Sequence, residues 1–497
     1  MIVANNPKVT EPKPYFSKIL VCGERAYLFL RQWIRVSTFF LFFFSQEQKA
    51  ISQLPMTEAE FVARVLAFHP TAVRADLRID LANAQLLTAK GGFDPVLGLQ
   101  FDQKQYADKN YYSRLDGQVK VPTPIGLDLK AGYEANTGQF LNPENNVPIG
   151  GLLYAGVSFP ILQGLWFDER RARLRVAKLG IDQSQAVRRY MRNELAFEAT
   201  SLYWSWYEAY EKRRILIEAF ENANIRYDAV VQNVLSGDRP GIDSIEARVQ
   251  LQNLSLAVQQ ADIDLLTAVQ FLRNALWTAD GPYAGPINET PILDQVNDNF
   301  SNINDLTASL FDFGVENHPY IQSLQLKLAQ LEVEQRLARE NLKPVLTLDY
   351  APLSQVQGGN VLENIGFENY KWGVGFKFPL FLRKERGKLN EIKVKMLDTK
   401  AEVDQLQELL KAQYTRYVNT WFNLNDQIRV YEDNIVLLRN LLDAEIRLFD
   451  IGESSIFLVN AREFSWIQAA QKLVEFRSKN RFAYAASLYY AGILYAD

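Results

Sequence analysis

The chain has 497 residues, a net charge of −4, 48% hydrophobic and 23% charged residues, the usage of an ordered protein with room for more than one domain. No basic surplus marks a nucleic-acid partner, and the single cysteine, Cys22, excludes an intrachain disulfide or a cysteine-based metal site. Two histidines, His69 and His318, are the whole supply for a Ser-His-Asp triad or a zinc site; each precedes a proline at the start of a helical pattern and reads as a helix entry.

In chain order, Arg31-Gln-Trp-Ile-Arg35 is followed by a short apolar run, 36–44, and then by polar 45–50. These are the parts of a secretory signal peptide, set about thirty residues after Met1, farther in than a signal usually begins. Ile19-Leu20-Val21-Cys22 loosely matches a lipidation box, but Val21 is large for its place and no apolar run precedes it. Residues 1–50 therefore read as an N-terminal extension carrying a signal-like segment. No run reaches the roughly 20 apolar residues of a transmembrane helix, so entry into a membrane would have to be as a closed β-barrel.

A helix is predicted over 57–90, then strands, then a proline-free helix over 170–235, a Gly-bearing turn at 236–243 and a returning helix over 244–277. A Gly/Pro/Asn-rich link, 279–304, leads to a second series: helix 305–341, strands, helix 385–450, turn 451–455 and helix 456–495. At about 1.5 Å per residue each long helix would reach roughly 100 Å. The series is a repeat. His69-Pro70 and Pro95-Val96-Leu97 recur 249 residues later as His318-Pro319 and Pro344-Val345-Leu346. Gly156 and Phe159-Pro160 recur at an offset of 219 as Gly375 and Phe378-Pro379, and Arg171, Trp206 and Gly237 recur at 215 as Arg386, Trp421 and Gly452. The first copy therefore carries thirty extra residues among its strands. The domains expected are the extension 1–50, a first repeat 51–278, the link 279–304 and a second repeat 305–497.

The strands alternate cleanly. In 113–121 the even positions are Arg114, Asp116, Gln118 and Lys120; in 370–380 Tyr370, Trp372, Val374, Phe376, Phe378 and Leu380 alternate with lysine, glycine and proline. A barrel wall and a one-sided soluble sheet share this period. The signal-like segment and the tyrosines at 106, 111, 112, 154 and 370 favour the membrane. One chain offers four to six strands, too few to close a barrel of at least about eight, which predicts a homo-oligomer.

The duplicated layout, Gly156-Val-Ser-Phe-Pro-Ile-Leu running into Arg170-Arg-Ala-Arg-Leu, Gly375-Phe-Lys-Phe-Pro-Leu-Phe and the tip Phe449 to Arg462 together resemble the TolC-type outer-membrane efflux protein family, over about 57–495. The resemblance implies an α+β membrane protein: a homotrimer in outer-membrane lipid, with a periplasmic α-barrel of long antiparallel coiled-coil-like helices. It implies four strands per chain, near 96–106, 152–162, 345–352 and 370–380, in a shared twelve-stranded β-barrel. The hairpin near 112–135 is then unassigned, and widening the barrel, covering its mouth or extending outside are all open to it. The implied partners are a periplasmic adaptor (membrane fusion) protein and an inner-membrane pump of RND or ABC type, in efflux or type I secretion. The implied gate is polar: Asp238, Arg239, Asp243 and Glu246 at the first tip, with Glu453, Asn460 and Arg462 at the second, whose segment reads as one residue shorter. Solvated turn residues, with Asp243 a helix N-cap, are the alternative. No cofactor is implied. The competing functions are a non-conducting structural or adaptor protein spanning the periplasm and an enzyme, for which the adjacent carboxylates Asp168-Glu169 lack any companion nucleophile or base.

Overall fold

The computed structural model describes residues 54–293, 317–356 and 368–495. The signal-like segment, Cys22, the end of the link and the expected helix start at 305–316 lie outside the described residues. After a short strand β1 (Pro55–Met56), helices α1 (Glu58–Phe68) and α2 (Pro70–Lys90) replace the single helix expected over 57–90. The break is at His69, whose extended backbone lets its Nδ1 accept from the Thr71 N–H at 3.2 Å with Pro70 in the first turn. His318 does the same for the Tyr320 N–H at 3.2 Å, opening α5 (Pro319–Glu340). Both histidines are thus helix caps.

Strands β2 (Val96–Tyr106), β3 (Lys109–Pro122), β4 (Asp128–Thr137) and β5 (Leu152–Pro160) come next, and β9 (Val345–Gln355) and β10 (Tyr370–Lys377) follow α5. All six form one curled antiparallel sheet in the order β10-β9-β5-β4-β3-β2. The hairpin unassigned from sequence is therefore wall: β3 and β4 sit between β2 and β5, so the chain contributes six strands rather than the four that the resemblance implied. The β2–β3 turn places Ala107 and Asp108 at φ 50° and 54°, the paired left-handed residues of a tight hairpin.

Helix α3 (Glu169–Leu235) has 67 residues and α6 (Arg383–Asp450) has 68. Each turns back into a 35-residue helix, α4 (Gly241–Ala275) and α7 (Ile456–Tyr490). The strand pair β6 (Trp277–Thr278) and β7 (Gly281–Pro282) straddles the start of the link, and β8 (Thr290–Pro291) pairs in parallel with β1. Among the described residues no helix is long and apolar enough to cross a membrane.

The main core lies midway along α3, where Tyr203, Trp204 and Trp206 meet Phe61, Leu272 and Val474. Burying three large aromatics there removes several hundred Å² of apolar surface from water, at about 25 cal/mol per Å². The Tyr203 hydroxyl lies 2.7 Å from the Met56 carbonyl and accepts from the Ile292 N–H at 3.1 Å, so one side chain ties β1 and the link to the bundle.

Candidate functional site

The residues singled out from sequence gather in two regions, the sheet and the helical tips. In the sheet, cross-strand partners keep one face apolar from edge to edge. Phe376 opposes Leu346, Val374 opposes Leu348, Val157 opposes Tyr350, Leu129 opposes Val157, Val121 opposes Leu129, and Leu97 opposes Val119. Leu97, Leu99, Phe101, Trp372, Val374 and Phe376 on this face are exposed. The other face is polar and cross-linked. Arg114 meets Asp102 at 3.4 Å, Lys120 meets Asp128 at 2.9 Å, Lys130 meets Asp349 at 3.0 Å and Lys371 meets Glu134 at 3.8 Å. The Tyr154 ring lies where a Cβ on Gly132 would sit, and its hydroxyl donates to Asp116 at 3.2 Å, crossing from β5 over β4 to β3.

Where the sheet joins the helices, Asp168 caps α3: its Oδ1 accepts from the Arg171 N–H and Nε, both at 2.9 Å. Burial pushes the Asp168 carboxyl up, but the Arg171 hydrogen bonds and the Arg171 and Arg170 charges outweigh it and hold the group below its usual range. Arg170 reaches Asp128 at 2.9 Å and Glu169 pairs with Arg173. Asp168 and Glu169 are thus spoken for by helix capping and ion pairing. Among the described residues no group of three or more His, Cys, Asp and Glu is placed to hold a metal ion.

At the tips the two turns are built alike. Gly237 (φ 83°) and Gly452 (φ 82°) take the left-handed position after the long helix, and the next residue, Asp238 or Glu453, donates its N–H back to Asn233 or Leu448 at 2.9 Å. Both turns span five residues, 236–240 and 451–455, so the second tip is not shorter and the 215-residue offset runs through it. Ser236 Oγ donates to Asp238 at 2.8 Å, and Asp238 and Glu453 are exposed. Asp243 is in the first turn of α4, not its N-cap, which is Pro240. It lies 3.6 Å from Arg239. Arg239 in turn donates to the Phe449 carbonyl and sits 3.7 Å over the Phe449 ring, fastening the first tip to the second. Glu246 is half-buried and forms no ion pair among the described residues. Arg462 faces Glu445 at 3.7 Å, and Glu445 also accepts from Ser454 Oγ at 2.5 Å. The Asn460 side-chain oxygen, Oδ1, is buried without a hydrogen-bond partner among the described residues.

The structure thus joins Arg239 to Asp243, and Arg462 to Glu445, a residue that sequence reasoning did not single out. It also reveals a second missed pair, Arg226 with Glu463 at 2.5 Å, buried beside the tip cluster of Val230, Phe449, Ile456 and Val459. Neither partner stands in a motif; they meet only because α3 and α7 pack against each other.

A curled strand sheet continued by two hairpins of long helices is the fold of the TolC-type outer-membrane efflux channels. The chain is similar to the Campylobacter jejuni CmeC outer membrane channel, at 17% identity over 88% of this chain and 85% of that one, with a TM-score of 0.62. It is similar to the Vibrio cholerae outer membrane protein VceC, at 14% identity over 88% and 96%, with a TM-score of 0.61. The open state of the Neisseria gonorrhoeae MtrE outer membrane channel aligns at 13% identity over 88% of both chains, with a TM-score of 0.62. No family model matches the sequence, and no curated protein sequence does.

Proposed function

We propose that the protein is an outer-membrane channel: three copies form one duct, a β-barrel in outer-membrane lipid continued by a periplasmic α-barrel. The duct passively conducts substrates delivered by an inner-membrane pump through a periplasmic adaptor, in efflux or type I secretion. The observation that carries this reading is that a single chain is unfinished on both levels. Among the described residues its sheet ends in two unpaired edges, β2 and β10, whose apolar face is exposed, and lipid leaves no water to satisfy such edges. Its helices present heptad seams with no partner among the described residues, Ile242, Val249, Leu256 and Ile263 on α4 and Val430, Leu437, Leu441 and Leu448 on α6, all exposed. Other copies of the same chain complete both.

Within this reading the first and second repeats, 51–278 and 305–497, do the same tunnel-building work, and the tip residues form the periplasmic gate. Planar-bilayer recording on the detergent-purified protein, with its mass measured in parallel, tests the proposal. A trimer giving ohmic conductance steps is expected. A trimer that stays silent even with its tip substituted would leave a periplasm-spanning structural protein as the reading.

A further inference from the structure

The thirty residues that the first repeat carries beyond the second are built into the wall, and they are built to its specification. Strands β3 and β4 have 14 and 10 residues, enough to cross a bilayer core when tilted, which takes about 9–11. Their outward set, Leu115, Val119, Val121, Leu129 and Ala131, continues the apolar face of β2 and β5 in register, the one shift in the β2–β3 pairing coming beyond them, between Lys104 and Gln105. Among the described residues their inward set supplies at least one partner to every ion pair between strands of the polar face: Arg114 to β2, Lys120 to Asp128 within the hairpin, Lys130 to β9 and Glu134 to β10. A hairpin lying over the mouth or out in solvent has no use for a continuous lipid-facing stripe, nor for charges registered against β9 and β10.

We infer that this protein closes an eighteen-stranded barrel, in which β2 of each copy pairs with β10 of the next. The inference rests on the trimeric channel proposed above: three copies of a six-stranded sheet. Strand direction permits the seam. All five neighbouring pairs are antiparallel, so the even count leaves β2 and β10 opposed in direction, and β10 of the next copy continues the alternation. The face chemistry permits it too, since Leu97, Leu99 and Phe101 on β2 point the same way as Trp372, Val374 and Phe376 on β10. With strands about 4.7 Å apart and tilted about 40°, eighteen strands enclose a cylinder roughly 35 Å across, against roughly 23 Å for twelve. The barrel is then about half as wide again as a twelve-stranded one, and the exit at the outer membrane is not where a passenger is held back. The second copy pairs β9 with β10 directly and adds nothing to the girth, so the widening is the work of the first copy alone.

Single-cysteine scanning along the hairpin tests this in the intact trimer in lipid nanodiscs, in a Cys22→Ser background. Gln118→Cys and Lys130→Cys are expected to react with a water-soluble, membrane-impermeant maleimide. Val119→Cys and Leu129→Cys are expected to be protected from it and to react with a lipid-soluble one. Cryo-electron microscopy of the same particles is expected to show eighteen strands in cross-section. Water accessibility at all four positions on a trimer with a twelve-stranded wall would overturn the inference and leave the channel reading standing. A protein that is not a trimer would overturn both.

Discussion

At the scale of single residues, buried charge and backbone geometry set what the molecule tolerates. Arg226 and Glu463 are 14% and 4% exposed and bind each other across two helices. Removing one charge leaves the other uncompensated in a low-dielectric site, which typically costs about 3–5 kcal/mol, whereas replacing both by apolar residues of similar volume is often close to neutral. Glu463→Leu alone is therefore expected to lower the thermal midpoint strongly, and Arg226→Met with Glu463→Leu to restore most of it. A double variant as unstable as the single one would show that the pair contributes net stability of its own. His318 gives a pH dependence. Burial holds its imidazole at about 4, with the Tyr489 carbonyl pulling weakly the other way, and its Nδ1 must stay unprotonated to cap α5. The unfolded chain takes up that proton near pH 6.5 and the folded one near 4, so the stabilisation is complete above about 6.5 and is lost as pH falls through the window between them. His318→Asn keeps a capping side chain and removes the titration. Denaturant unfolding at pH 7 and pH 5 is expected to show a smaller loss for the variant than for the parent chain, and equal losses would exclude His318 as the cause.

At the scale of elements, the exposed seams make a sharper demand. Val249 and Leu256 on α4 touch little in the isolated chain, so aspartate at both positions removes almost no packing within it. In an assembled tube the same substitutions bury charge in an apolar seam at several kcal/mol per copy. Val249→Asp with Leu256→Asp is expected to yield folded monomer, with helical circular dichroism retained and trimer lost by native mass spectrometry; retained trimer would remove α4 from the interface. Most elements were legible in advance, because the signals that specify them are local. The long helices expected over 170–235 and 385–450 run 169–235 and 383–450, since nothing interrupts them and a Gly at 237 and 452 stops them. His69-Pro70 reads as a helix entry, yet the sequence predicts one helix over 57–90, because the apolar periodicity continues on both sides of the break. The place of the 112–135 hairpin was not legible at all. Alternation reveals a two-faced strand but not its neighbours, and the resemblance suggested a four-strand wall with no slot for two more. Of the tip residues, Arg239 and Asp243 stand four apart on one chain and pair locally, while Glu445 and Glu463 needed the helix packing to bring them to Arg462 and Arg226.

At the scale of the whole duct, conductance is set by resistances in series, and the narrowest segment dominates. In the trimeric channel proposed above, a barrel roughly 35 Å wide would add little, and the tips, where three sets of side chains would converge, would add most. The tip charges are not equivalent there. Asp243 is already offset by Arg239, whereas Glu246 forms no ion pair among the described residues, so in the proposed gate its charge would act without a compensating cation. Glu246→Ala is thus expected to lower cation selectivity more than Asp243→Ala does, with little change in conductance for either alone. Arg239 is different in kind. It holds Asp243 and also the Phe449 carbonyl and ring, so it fastens one hairpin tip to the other. Arg239→Ala is expected to raise single-channel conductance several-fold by letting the first hairpin swing away from the second. Asp116→Asn, on the barrel wall, is expected to leave it unchanged. If Asp243→Ala with Glu246→Ala alters neither conductance nor selectivity, these carboxylates are solvated turn residues and the constriction lies elsewhere along the tube. If Asp116→Asn proves the stronger substitution, the barrel is the narrow segment, and the order of resistances along the duct is the reverse of the one its architecture implies.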